Sequence, residues 1–295
     1  MASGARLRLR TDARNLRLEF LPLPAVLPQC LRPTFFLDLT CGEEVLQSVP
    51  VAEGGESVDF RDLPSGAKDL ELWLPPDAPI RIRRLLVDDG ASCGTAADTR
   101  PRWLTYGSSI THSVRAHSPA RNWPAIVARR HGFNLTSLGF SAECHIDPMV
   151  ALVLRDIPAD LITLKLGINV MGGGSLSPRT FPGAVIGLVR MIREKQPDAP
   201  IGLISPIASP PRETTPNAVG FTLQMMREAI RDAHRRLVEA GDRNLSYYDG
   251  LELFGADRMA IHSKDQLHPD ADGIEALAER FDALVMTDLV GRMRR

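Results

Sequence analysis

The sequence predicts an α/β protein, a parallel sheet with helices beside it, preceded by a smaller antiparallel β-sandwich. Three observations carry this. The first ninety or so residues alternate with period two between turn formers, the pattern of half-buried strands. From Arg102 onward short apolar runs alternate with amphipathic stretches, the pattern of βα units. At 295 residues the chain is about twice the length of a common single domain. The division expected is a sandwich over 1–97 and an α/β unit over 98–295.

The elements follow in order. Leu7 and Leu9 stand between Arg6, Arg8 and Arg10, and Leu16, Leu18 and Phe20 between Arg17 and Glu19. Phe35, Leu37 and Leu39 come next, then Val58 and Phe60, then Leu70, Leu72 and Leu74, then Ile80 and Ile82. Cys41-Gly42, Gly54-Gly55, Pro64-Ser65-Gly66 and Pro75-Pro76-Asp77 supply the turns. The small and polar stretch 88–99 reads as a linker. The parallel strands are expected at Trp103–Tyr106, Phe133–Leu138, Leu161–Leu166, Ile201–Ile204 and Leu245–Tyr248. Phe181, Ala184, Val185, Leu188 and Ile192 share one helical face. So do Val219, Met226, Ile230 and Leu237, with Arg227 among the residues facing water, and in a last helix Ile274, Leu277, Ala278, Phe281 and Leu284.

Composition narrows the function. Hydrophobic residues make up 44% and charged residues 24% of the chain, so there is material for a core and no signature of disorder. The net charge of −1 argues against a nucleic-acid binder that works by neutralising phosphates. Arginine supplies most of the positive charge, since lysine stands only at Lys68, Lys165, Lys195 and Lys264, a bias that codon usage explains. Cys30, Cys41, Cys93 and Cys144 lie far apart without metal-type spacing and read as free thiols. The N-terminus has basic residues without an apolar h-region, and no run approaches the ~20 apolar residues of a membrane span. The expectation is a cytoplasmic protein that binds neither nucleic acid nor membrane.

Open parallel sheets hold their ligands at the carboxyl ends of the strands. Gly107-Ser108-Ser109-Ile110-Thr111 follows the first parallel strand, Gly139-Phe140-Ser141 the second and Gly167-Ile168-Asn169 the third. Asp265-Gln266-Leu267-His268-Pro269 stands before the last helix. A serine hydroxyl needs an adjacent base to attack at neutral pH, and His268 is suited to that task. Asp265, three residues earlier, is placed to orient its ring. The N–H groups of Ser109 and Gly139 and the amide of Asn169 would form an oxyanion hole. Ser108 and Ser109 are adjacent candidates for the nucleophile.

These blocks resemble the GDSL, or SGNH, hydrolases, over about residues 102–290. Gly107-Ser108-Ser109-Ile110 matches the Gly-Asp-Ser-Leu block, and Gly139 the glycine block. Gly167-x-Asn169 matches the asparagine block, and Asp265-x-x-His268-Pro269 the histidine block. The resemblance implies a flavodoxin-like three-layer domain with Ser109 as nucleophile, His268 as base, Asp265 as its partner, and oxyanion donors from Ser109, Gly139 and Asn169. Two positions depart from the family pattern: Ser108 replaces the usual acid before the nucleophile, and Val170 follows Asn169 where an acid is common. A preceding sandwich resembles a two-domain subgroup that includes carbohydrate deacetylases and a salicylyl acyltransferase, in which the sandwich is similar to a carbohydrate-binding module.

The expected activity is hydrolysis of a small or medium polar ester through an acyl-serine, without metal or organic cofactor. The alternatives are acyl transfer to a hydroxyl of a metabolite or sugar, and an inactive carbohydrate binder. Ser108, His112 and His145 are candidate substrate contacts, and His117 is a further cleft candidate. Cys144-His145-x-Asp147 could be read as metal ligands, but no other histidine is spaced to complete a site. Met171-Gly172-Gly173-Gly174 reads as a loop, either a plain connection or a flap. Trp73, on the face opposite Leu70, Leu72 and Leu74, is expected to be buried against the α/β unit rather than to stack on a ligand.

Overall fold

A computed structural model describes residues 3–24 and 34–293, which leaves Cys30 outside the described residues. Among the described residues eight strands form the sandwich: β1 (Arg6–Thr11), β2 (Leu16–Pro22), β3 (Thr34–Cys41), β4 (Glu44–Ala52), β5 (Ser57–Phe60), β6 (Lys68–Trp73), β7 (Ile80–Val87) and β8 (Cys93–Thr95). One sheet has the order β4-β3-β6-β1-β8 and the other β5-β2-β7, with every pairing antiparallel. The leucines and phenylalanines expected inside do meet there. Leu9, Leu16, Leu18, Phe20, Leu37, Leu39, Phe60, Leu70 and Leu72 form one buried cluster.

Alternation puts the other residues of β1, β3 and β6 on the opposite face of the larger sheet, and the middle of that face is also covered, although Arg10 and Asp69 at its end stay exposed. Asp38, Thr40, Glu71 and Trp73 are all buried. Trp73 packs into the core of the α/β unit, as expected, and its Nε1–H donates to Thr40 Oγ1 at 3.0 Å. Arg6 donates to the Leu135 carbonyl at 2.8 Å and to Asn134 Oδ1 at 2.9 Å. A sheet read as half-buried is therefore covered on both sides at its middle, and its charges survive there because they are paired.

Glu71 is the centre of that pairing. Its side chain is 8% exposed. Arg6 Nε lies 3.0 Å from Oε1, and the same oxygen accepts from Arg100. Burial works against its charge, but the two guanidiniums outweigh that and hold its pKa below the ordinary 4.5. Breaking such a buried pair costs about 3 kcal/mol, so Glu71→Gln should melt well below the wild type at pH 7. A depressed carboxyl contributes stability that is present above its unfolded pKa and lost as pH falls through the folded one. The gap in Tm should therefore close as pH drops from 4.5 toward the folded value, and a pH-independent gap would contradict this assignment.

The third sheet contains β9 (Arg102–Gly107), β10 (Asn134–Gly139), β11 (Leu161–Lys165), β12 (Ile201–Ile204) and β13 (Leu245–Tyr248). Their order is β10-β9-β11-β12-β13, parallel throughout, which is the flavodoxin-like order expected. The helices are α1 (Ser109–His112), α2 (Trp123–Arg130), α3 (Pro148–Asp156), α4 (Ile168–Gly173), α5 (Phe181–Arg193), α6 (Leu223–Glu239), α7 (Gly250–Leu253), α8 (Ala256–His262), α9 (Ala271–Phe281) and α10 (Thr287–Met293). Among the described residues no helix is long and apolar enough to cross a membrane. Cys41, Cys93 and Cys144 are free.

Several details differ from the sequence reading. The stretch 88–99 is not all linker, because β8 pairs with β1 through Thr95. The three glycines after Met171 are not a loop: Gly172 and Gly173 belong to α4, and Gly174 (φ 57°) is its left-handed cap. Val219 precedes α6 and is exposed. Arg227 faces inward, 5% exposed, because Glu213 takes its charge at 2.5 and 2.9 Å while the Pro206 and Ile207 carbonyls accept its remaining N–H groups. A π-helical turn, Asp282–Met286, inserts a residue into the last helix and shifts its face. Val285 and Met286 thus take the buried positions, and Leu284 is only partly covered.

Candidate active site

The first strand end explains which serine is accessible. Ser108 is buried and acts as the N-cap of α1, accepting from the Ile110 N–H at 3.3 Å. Ser109 begins that helix, half-buried, and its Oγ lies 2.8 Å from His268 Nε2. Its own N–H has no preceding turn to donate to.

The histidine is held from behind. His268 Nδ1 lies 2.9 Å from Asp265 Oδ2. Asp265 Oδ1 accepts the backbone N–H of His268 at 2.8 Å, that of Leu267 at 3.1 Å and the Ser263 hydroxyl at 3.0 Å. Between them Gln266 adopts a left-handed φ of 53°, a conformation uncommon for a residue other than glycine, and Ser209 Oγ holds its carbonyl at 2.7 Å. Partial burial raises the Asp265 pKa, but the His268 N–H and ring and the Arg115 guanidinium outweigh it and hold the carboxyl well below its usual value. It is charged at any pH where an imidazole can act as a base.

Close packing requires the two glycines that end the first strands. A Cβ on Gly139 would stand 2.4 Å from His112 N, and one on Gly107 2.2 Å from Thr111 Oγ1, so α1 can rest on β9 and β10 only if both lack side chains. Phe140 N donates back to Gly107 O at 2.7 Å, and alternation along this edge strand turns the Gly139 N–H away from β9. Gly167 precedes α4 with φ 112°, open only to glycine. Asn169, in the first turn of α4, accepts the Cys144 N–H on Oδ1 at 3.0 Å, so its NH2 is the end left to donate elsewhere.

The other sequence candidates are placed as follows. His112 is buried, with Nε2–H donating to the Pro76 carbonyl at 3.0 Å and Nδ1 lying 2.8 Å from Ser141 Oγ. The fold thus does not bring Ser108 or His112 out to a substrate. Each is spent on placing α1, from within or from the sandwich side. His117 is 2.8 Å from Asp272 at the start of α9. His145 lies against Gly173 of α4 and bonds through Nδ1 to Ser175 Oγ at 2.8 Å. Burial pushes the Cys144 thiol up to about 12, which keeps it neutral. Among the described residues no group of three or more His, Cys, Asp or Glu side chains is arranged to hold a metal.

Two parts were not singled out from the sequence. Arg115 lines the small pocket beside Ser109 and His268, and the backbone of Cys144 orients Asn169. No local pattern marks either one. A wider groove of about 1130 Å³ runs along the opposite end of the sheet. No serine, cysteine or histidine lines it, and its arginines are paired, Arg100 with Asp98, Arg102 with Asp160 and Arg292 with Asp288. The Ser109–His268–Asp265 hydrogen-bond chain lies at the other end of the sheet.

Residues 101–286 match the GDSL-like lipase/acylhydrolase family. The chain belongs to that family. This GDSL-like enzyme is similar over 99% of its length to the salicylyl-acyltransferase SsfX3 from a tetracycline biosynthetic pathway. The two are 33% identical, with a TM-score of 0.89 and 84% of that chain covered. It also shares its fold with a family two carbohydrate esterase from Clostridium thermocellum solved with cellohexaose (TM-score 0.70, 15% identity, covering 98% of this chain and 94% of that one). A family two carbohydrate esterase from Cellvibrio japonicus has the same fold (TM-score 0.63, 14% identity, 98% and 89% covered). No curated protein matches the GDSL-like chain. The sandwich and the parallel sheet therefore occur together in other enzymes of this kind.

Proposed function

We propose that the protein cleaves a carboxylic ester of a small or medium polar molecule through an acyl-serine at Ser109. The observation that carries this reading is the relay from Ser109 Oγ to His268 Nε2 at 2.8 Å and from His268 Nδ1 to Asp265 at 2.9 Å. Ser109 Oγ attacks the acyl carbonyl as its proton passes to Nε2, and Asp265 stabilises the resulting imidazolium. The oxyanion is taken by the N–H groups of Ser109 and Gly139 and the Asn169 amide, donors fixed before the substrate arrives. Collapse expels the alcohol, which leaves with the proton from His268. Water, deprotonated by the same ring, then releases the acid and restores the serine. His145, which lies against Gly173 one turn of α4 beyond Asn169, is the substrate contact we retain.

A second reading replaces that water with an acceptor hydroxyl. The 33% identity across 99% of the chain to a salicylyl-acyltransferase favours it, and the same catalytic groups serve both outcomes.

The test is a panel of short-chain and aromatic p-nitrophenyl esters together with sugar esters, each with and without an alcohol or sugar acceptor. Turnover that a fluorophosphonate abolishes is the expected result. Product ester above the hydrolysis background identifies transfer, and no turnover with any ester would defeat both readings.

A further inference from the structure

We propose that Arg115 is a positioning residue, one that locks the acid–base loop 263–268 onto the segment carrying Ser109. The inference rests on the serine reading above. Arg115 Nη2 donates to Asp265 Oδ2 at 2.8 Å, the oxygen that also receives His268 Nδ1, and Nη1 reaches the His268 carbonyl at 3.2 Å. The other donors to Asp265, from Ser263, Leu267 and His268, belong to its own loop. They shape the loop but do not hold it against the nucleophile. Arg115 comes from the other side, six positions after Ser109.

Arg115 can serve as such a clamp because its own segment is anchored. Asp38 of β3, fully buried, accepts from Ser118 Oγ at 2.5 Å and from the Ala120 N–H at 2.6 Å. His117 and Arg121 tie the same stretch to Asp272 and Glu275 of α9. The guanidinium is therefore presented from a braced support. Its planar fork suits two acceptors at once in a way a lysine ammonium does not.

The Arg115 side chain is 41% exposed, and exposed ion pairs contribute little to stability. A clamp of this kind should show in the rate while leaving the melting temperature almost unmoved. A misplacement of about 1 Å in a catalytic group can cost ~100-fold, so Arg115→Ala should lower kcat by roughly 10- to 100-fold with KM nearly unchanged. Arg115→Lys should fall between the two. If Arg115 acts through Asp265, removing it in an Asp265→Asn background should change kcat by less than about threefold.

The experiment measures kcat, KM and Tm for these variants, and for Ser109→Ala, with the best p-nitrophenyl ester. Loss of kcat with retained Tm, and non-additivity with Asp265→Asn, are expected. An unchanged kcat, a loss confined to KM (an arginine that binds substrate instead) or full additivity would overturn the assignment while leaving the serine reading intact. Turnover that persists in Ser109→Ala would overturn the serine reading and this assignment with it.

Discussion

Ser109→Ala is expected to lower kcat by about 10⁶-fold and to abolish covalent labelling by a fluorophosphonate, with the fold unchanged. The size follows from what is lost. Without Oγ there is no atom to carry the acyl group, and His268 has no proton to take at 2.8 Å. Ser108 cannot substitute, because it is buried and its Oγ already caps α1. What survives is the oxyanion donors acting on attack by water, a small residue of the whole. Intact-mass measurement after probe treatment checks this without a chromogenic substrate. Labelling at another residue, or undiminished labelling, would remove Ser109 from the mechanism.

Asp265→Asn should cost about 10⁴-fold in kcat for a different reason. The substitution keeps the acceptor on Oδ1 that orders the Leu267 and His268 N–H groups, so the loop should hold. At the other end an NH2 now faces His268 Nδ1 and Arg115, both donors. The ring is then favoured in the tautomer with its proton on Nε2, and that nitrogen can no longer accept from Ser109. Kinetics beside a thermal melt separate the two contributions. A Tm close to that of the wild type with rate loss of this order is the expected pair, and a variant with near wild-type kcat would mean Asp265 only shapes the loop.

Much of the candidate site was legible because its blocks are local. Gly107-Ser108-Ser109, Gly167-x-Asn169 and Asp265-x-x-His268 each sit within five residues, where type and spacing carry geometric meaning. Arg115 was not legible, since its meaning lies in a partner 150 positions away. The central strands β11 and β12 were readable because strands buried on both faces are nearly continuously apolar. β4 escaped because it carries the extra residue of a bulge, Leu46, opposite the Leu39–Thr40 step of β3. Val45 then packs against the α/β core while Leu46 and Val49 pack against the sandwich, which erases the period-two signal. β8 escaped because all three of its residues are exposed. The π turn in the last helix leaves no local mark, and the helical period extrapolated through it placed Leu284 where Val285 lies.

The carboxylates and indole on the outer side of the β4-β3-β6-β1-β8 sheet bear on how the polypeptide is maintained in a cell. Asp38, Glu71 and Trp73 are covered because the other half of the chain lies over them. Their solvation was given up when the halves met, so separating them would leave the indole facing water and Asp38 without the Ser118 and Ala120 donors that hold it. Proteolytic trimming, fusion or exchange of the amino-terminal portion would thus alter the solubility and lifetime of the remainder. For an engineer, that portion can be grafted onto a homologous partner only together with the residues that meet it.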